Sequence, residues 1–241
     1  MRAFIASLLC CWSFFAWADS HDELFRSAGW TQQTQHFQGV LQQAQQSYKN
    51  TLPSAMYQAL VNNSNQRFAP AAMQQRALSA LRKSLPDAEP ALTFYQSPLG
   101  QKIVAAEVGA TSAAALKRNS QGLPAQTASA TRQLQIRHLA QAIPASQAAA
   151  EVGLALTSLA ADSLSQMLPG LLGGSSQELI GTQRNRMAQQ MDQNIDSTLL
   201  YIYRNLSDAE LEEYVSFAES PAGKQYYQAA LVMLNAALNQ P

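Results

Sequence analysis

Few residues in this chain are placed to do chemistry, and most of them have a plainer use. Asp208, Glu210, Glu212 and Glu213 crowd one segment, and paired carboxylates at such spacing could act as general acid and base. They also open a predicted helix, where acidic side chains complement the helix dipole, and Ser207 with Glu210 fits a capping box. His21, His36 and His138 lack the H-E-x-x-H or i, i+4 spacing of a helical metal site, so they read as solvated or core side chains. The chain has no G-x-S-x-G elbow, phosphate loop or dinucleotide fingerprint. Its glycine cluster, Leu172-Gly173-Gly174-Ser175-Ser176, reads as a loop. Tyr201, Tyr203, Tyr214, Tyr226 and Tyr227 fall at helical spacing, which points to core or interface packing rather than ligand stacking. No catalytic residue, cofactor or metal is expected.

The distinctive feature is a motif written twice. Phe94-x-x-Ser97-Pro98-x-Gly100 returns 123 residues later as Phe217-x-x-Ser220-Pro221-x-Gly223. Each copy follows a second echo, Leu85-Pro86-Asp87-Ala88-Glu89 and Leu206-Ser207-Asp208-Ala209-Glu210. Serine before proline predicts a helix start: the hydroxyl accepts from an orphan first-turn amide, and proline at the first helical position loses no intrahelical bond. Glycine two residues later is unfavourable inside a helix by about 0.5–1 kcal/mol. Its presence in both copies predicts another side chain or backbone where a β-carbon would sit, with Phe94 and Phe217 as candidate occupants. The alternative use of these residues is anion binding by the free amides of the helix start. No Lys or Arg precedes either serine, and Lys102 and Lys224 follow at non-equivalent positions.

The elements that must hold these motifs read as helices almost throughout. Phe37, Val40, Leu41, Ala44, Tyr48 and Leu52 form one apolar face before Pro53, and Met73, Ala77, Leu78, Leu81 and Leu85 another between Pro70 and Pro86. Beyond the first motif, Leu99 and Ile103 are expected in the core. In the second half, Val152, Leu156, Leu159 and Met167 lie on an alanine-rich helix ending at Pro169. Met187, Met191, Ile195, Leu199 and Ile202 make the longest continuous stripe. Residues 109–130 are rich in Ala, Ser, Thr, Gln and Gly and read as a linker. Amphipathic helices must bury their stripes on one another, so bundles follow.

The N-terminus reads as a secretory signal: Arg2, an apolar run from Ala3 to Trp17, and an Ala16-Trp17-Ala18 cleavage site before Asp19. Cys10 and Cys11 lie inside that apolar run, so the mature chain is expected to carry neither disulfide nor thiol. Without Arg2 it holds 15 basic and 16 acidic residues, a balance that gives no electrostatic case for nucleic acid. Charged residues are 13% of the chain, against about 25% in ordinary soluble domains. Glutamine runs such as Gln42-Gln43-Ala44-Gln45-Gln46 keep the helix surfaces polar instead.

At the F-x-x-S-P-x-G segments behind L-x-D-A-E, the chain resembles a bacterial family known as a domain of unknown function, number 2059. The resemblance covers about 85–108 and 206–231, and extends more weakly upstream. It implies an exported helical protein and brings no activity, cofactor, partner or catalytic residue with it. Pro90 departs from the pattern and leaves the helix before the first motif an open question.

These readings predict an all-α protein of two tandem helical-bundle pseudo-repeats: a signal peptide over 1–18, a first unit with its linker over 19–130, and a second over 131–241. The expected destination is the periplasm or the exterior, with cleavage after Ala18. The expected function is a non-enzymatic binding or interaction module of the bacterial envelope. Its partner would be an envelope protein or a small ligand, bound in a groove between the units. A lipid- or apolar-ligand-binding protein is the alternative, resting on the sparsely charged stretch 148–172; a helical hydrolase is a third reading. Membrane association is not favoured, and oligomeric state is not specified.

Overall fold

The computed structural model describes residues 19–159 and 176–239, and it is all-α. The expected signal peptide and the break around Pro169 lie outside the described residues.

Before residue 130 the chain forms α1 (Ser20–Ser27), α2 (Trp30–Ser47), α3 (Ser54–Arg67), α4 (Pro70–Ser84), α5 (Glu89–Gln96), α6 (Pro98–Thr111) and α7 (Ala113–Arg118). After it come α8 (Ala130–Ala142), α9 (Ala145–Thr157), α10 (Ser176–Asp192), α11 (Ile195–Ile202), α12 (Asp208–Glu219) and α13 (Pro221–Leu238). The breaks follow backbone chemistry. Asp19 caps α1 by accepting from the His21 amide. Gly29, at φ 78°, supplies the left-handed residue that ends α1 and opens α2. A side chain there would also strike Val104. Pro70 stands in the first turn of α4, where its missing amide is harmless.

Two sequence expectations change, and one open question is settled. α5 forms despite Pro90, because the proline falls in the first turn and not the interior. The stretch read as a linker is partly helical: α6 runs to Thr111, Ser112 caps α7, and Ala115 is buried. The long stripe from Met187 to Ile202 is divided by a turn at 193–194, and Met191 lies exposed.

A single cluster of buried side chains runs from Leu24 to Leu238 and draws on residues from both sides of 130. α13 lies along α4 and also meets α12, α9 and α5; α8 packs on α11 and α12; α10 leans on α9. Leu24, Leu60, Ile103, Ile136, Leu139 and Leu211 are fully buried, each worth about 1.5–3 kcal/mol of transfer from water. The end of α13 is held by cations from the first half. Arg76 donates to the carbonyls of Ala236 (3.1 Å), Ala237 (2.7 Å) and Arg67 (2.9 Å). Arg67 donates to Leu238 O at 3.2 Å. Positive charge on the last carbonyls of a helix is the favourable end for its dipole.

Candidate functional site

Each repeated motif folds into a corner between two helices, α5–α6 and α12–α13. Ser97 and Ser220 have the same backbone angles, φ −65° and ψ 158°. Each hydroxyl works in both directions. Ser97 Oγ accepts from Gly100 N (3.0 Å) and donates to Phe94 O (2.7 Å); Ser220 Oγ accepts from Gly223 N (3.0 Å) and donates to Phe217 O (2.6 Å). One side chain thus ties the end of a helix to the start of the next. The glycines are required by closeness. A β-carbon on Gly100 would fall on the carbonyl oxygen of Phe94, and one on Gly223 on that of Phe217. The occupant is the backbone of the preceding helix and not the phenylalanine ring.

The rings do something else. Phe94 and Phe217 stack face to face, with centroids 3.7 Å apart and planes 4° from parallel. The two corners therefore meet at their equivalent residues.

Beside this stack lies a chain of buried hydroxyls. Tyr95 and Tyr227 hydroxyls are 3.1 Å apart, Tyr227 donates to Tyr214 at 2.9 Å, and Tyr214 and Tyr203 are 3.4 Å apart. The chain ends on a carboxylate: Tyr203 donates to Glu107 Oε1 at 2.6 Å and Tyr214 to the same oxygen at 3.3 Å. At its other end, Tyr226 packs on Tyr95 at 4.9 Å and accepts from Trp30 Nε1 at 3.2 Å. Glu107 is half-buried as a residue, but its Oε1 faces the hydroxyls of Tyr203 and Tyr214, both essentially sealed from water. Burial raises its carboxyl above the usual range, while the two tyrosine bonds pull it partly back. Burial likewise pushes the Tyr95, Tyr203 and Tyr214 phenols well up.

Tyr203 also forms part of an open cleft of about 290 Å³, faced by Lys102, Ala105 and Ala106 of α6 and by Ile202, Asn205 and Leu206 across from them. The tyrosine hydroxyl is committed inward to Glu107, so the walls are chiefly apolar. Lys102 at the rim pairs with Glu210 at 2.7 Å.

The residues that the sequence offered for chemistry are dispersed. Glu210 completes the capping box with Ser207 and also takes Lys102; those two partners and the Ser207 amide hold its carboxyl down at about 2. Asp208 pairs with Arg132 at 2.7 Å. Glu212 and Glu213 are exposed. His21 lies between Asp19 (3.0 Å) and Leu85 O (2.8 Å), His36 reaches Thr111 at 2.8 Å, and His138 meets Glu219 at 2.8 Å. Among the described residues, no three His, Cys, Asp or Glu converge as a metal site would require. Nor is any described helix long and apolar enough to cross a membrane. Tyr201 stands apart from the other tyrosines, taking Asn119 Nδ2 at 3.1 Å.

Glu107 was not singled out from the sequence. Its signal was there: an acid four residues after Ile103 and seven after Gly100, on the same face of α6 as those two buried residues.

Residues 71–127 match the family described as an uncharacterized protein conserved in bacteria (DUF2059). The matched stretch runs from the first turn of α4 through the α5–α6 corner and α7, and includes Glu107. No curated protein matches the chain, and no solved structure does.

Proposed function

We propose that this chain, whose residues 71–127 carry the likeness to an uncharacterized bacterial family, is an exported, non-enzymatic binding module made of two diverged copies of one helical unit. Its contact site is the cleft between α6 and the α11 end. The observation that carries the reading is the lining of that cleft: Ala105, Ala106, Ile202 and Leu206 surround it, and the hydroxyl of Tyr203 is spent on Glu107, which suits recognition of an apolar group better than proton transfer to one. The volume of about 290 Å³ is at the small end for ligand sites and fits one bulky side chain of an envelope partner or a compact apolar ligand. Two copies are supported by the twin Ser-Pro corners and by the stacking of Phe94 on Phe217. Export with cleavage after Ala18 is supported by the role of Asp19, which caps α1 and pairs with Arg82 at 2.6 Å.

Native mass spectrometry on protein from its host's envelope fraction tests the reading, with wild type beside Ala105→Trp, which fills the cleft mouth. The expected result is an intact mass beginning at Asp19, a reproducible added mass on wild type, and its loss from the variant at unchanged thermal stability. Equal occupancy of both proteins, or bare wild type, overturns the cleft assignment. Turnover of cell-wall, ester or phosphate substrates that a point mutation abolishes overturns the non-enzymatic one.

A further inference from the structure

The buried phenols make one connected path through the core. Trp30 Nε1 donates to the Tyr226 hydroxyl at 3.2 Å. The Tyr226 ring lies 4.9 Å from that of Tyr95 and 5.2 Å from that of Tyr227, and the Tyr95 and Tyr227 hydroxyls are 3.1 Å apart. Tyr227 donates to Tyr214 at 2.9 Å, the Tyr214 and Tyr203 rings meet edge to face at 5.4 Å, and Tyr203 donates to Glu107 Oε1 at 2.6 Å. One end reaches solvent: Trp30 is half-buried, and it is the one tryptophan beyond residue 18. The other end is a phenol held against its own proton acceptor.

The helix corners do not demand these hydroxyls. Tyr226 and Tyr227 stand three and four residues after Gly223, and the residues so placed after Gly100 are Ile103 and Val104, which are also buried. Tyr214 stands three residues before Phe217, and Ala91, three before Phe94, is buried as well. Each buried hydroxyl must find a partner or cost stability. Apolar side chains therefore serve the same positions in one half, and phenols in the other. What the phenols add is ready one-electron oxidation.

We infer that this path is a one-electron relay: it carries an oxidising equivalent from Trp30 to Tyr203, and Glu107 is the base that takes the Tyr203 proton. The co-reactant is a small one-electron oxidant, a radical arriving from solution at the half-buried indole. It takes an electron from Trp30. A phenol whose proton has somewhere to go is easier to oxidise than an indole, so the vacancy moves inward. Each phenol on the way gives up one electron and regains one from the next, and its proton remains in its hydrogen bond. At Tyr203 the vacancy stops. The O–H bond breaks, the proton crosses to Glu107 Oε1, and a neutral phenoxyl radical stays beside a neutral carboxyl. The oxidant has gained one electron, Tyr203 has lost one electron and one proton, Glu107 holds that proton, and the residues between end as they began. The carboxylate suits the role: Tyr203 and Tyr214 both donate to one of its oxygens, as an acceptor-only group requires. Taking the proton also removes a charge from the core and creates none. The relay does not depend on what the cleft takes.

Pulse radiolysis at neutral pH with azide radical, which oxidises tryptophan in preference to tyrosine, tests the relay. The protein is the full chain carrying Trp12→Phe and Trp17→Phe, so that Trp30 is the indole oxidised. The indole radical should decay as phenoxyl absorbance grows, in a first-order step whose rate is independent of protein concentration. Decay without phenoxyl growth, or a rate that rises with protein concentration, overturns the relay without recourse to a core variant. Tyr48, Tyr57 and Tyr201 lie off the path, and changing all three to Phe should leave the transfer as it was; its loss there assigns it to those side chains and overturns the path. Tyr226→Phe, shown folded by circular dichroism, should lose the fast phase, and its persistence overturns the route through Tyr226. The electron paramagnetic resonance signal frozen after transfer should change its line shape in Tyr203→Phe and be lost from that ring in Glu107→Gln. An unchanged signal in either variant overturns Tyr203 as the terminus and Glu107 as its base.

Discussion

Replacing Gly100 by alanine sets two effects of opposite sign against each other. Glycine inside a helix is worse than alanine by about 0.5–1 kcal/mol, so in open space the substitution stabilises. At Gly100 the new methyl would meet the Phe94 carbonyl oxygen and lie 2.7 Å from Tyr95 Cα. Both are backbone and cannot rotate away. Parting α5 from α6 stretches the Ser97 bridge, a cap worth about 1 kcal/mol, and strains the surrounding core by about 1–3 kcal/mol. The net expectation is a loss of about 1–3.5 kcal/mol, or about 2–14 °C in Tm for a chain of this size. Gly223→Ala should behave alike, since its methyl meets Phe217 O and lies 3.0 Å from Ala218 Cα. Gly39 and Gly109 are internal controls: nothing stands within 4 Å of a β-carbon at either, so alanine there should be neutral or stabilising. Thermal and denaturant unfolding of the four variants decides the matter. If Gly100→Ala and Gly223→Ala melt with wild type or above it, the corners are not closed by backbone contact and the reasoning fails.

Three further outcomes are expected. In a Phe94→Leu and Phe217→Leu double-mutant cycle measured by chemical denaturation, the face-to-face stack at 3.7 Å should give a coupling below the about 0.5–1.5 kcal/mol of offset or edge-to-face pairs, because its ring quadrupoles oppose. Arg76→Ala leaves three carbonyls without their charged donor and should lose about 2 kcal/mol; Arg76→Lys should recover little, because a single ammonium cannot span the fork. On the acid side, Arg82 and the His21 amide hold Asp19 down to about 2 from 3.8, and Lys102 and the Ser207 amide hold Glu210 to about 2 from 4.5. Both contributions are present above the ordinary values and vanish as pH falls toward 2, so Asp19→Asn with Glu210→Gln should flatten acid unfolding between pH 4.5 and 2.

How much of this was legible depended on how far each interaction reaches along the chain. The Ser-Pro corners and the capping box at Ser207 could be read because cap, proline and amide lie within one turn. The need for glycine was also visible, but its cause was not, since no pattern of residue types records where a carbonyl of the preceding helix will lie. Residues 109–130 misled because alanine, serine and glutamine suit a helix surface as well as a linker; the capping serine, Ser112, was the missed signal. The stripe through Met187 and Ile202 spans a turn because a two-residue break can keep the apolar faces of successive helices on one side. Glu107 was hardest. Its partners Tyr203 and Tyr214 lie 96 and 107 residues away, and the apolar run around it looked complete without them. Gln45 is similar: buried in a glutamine-rich helix, it donates to Ser64 at 2.8 Å and is indistinguishable by type from its exposed neighbours.

The seating of α13 along α4, with Arg76 and Arg67 on its last carbonyls, has a consequence for the order in which the molecule can be made. Synthesis delivers the N-terminal half first. Yet the apolar face of α4 finds its main cover only in the closing eighteen residues of helix, Pro221–Leu238. A nascent chain lacking them has Met73, Ala77 and Leu81 without their final partner. Until Pro221–Leu238 has been made, that face has chiefly α1 and α2 to cover it. The step that locks α4 into the core therefore waits for a helix made long after it.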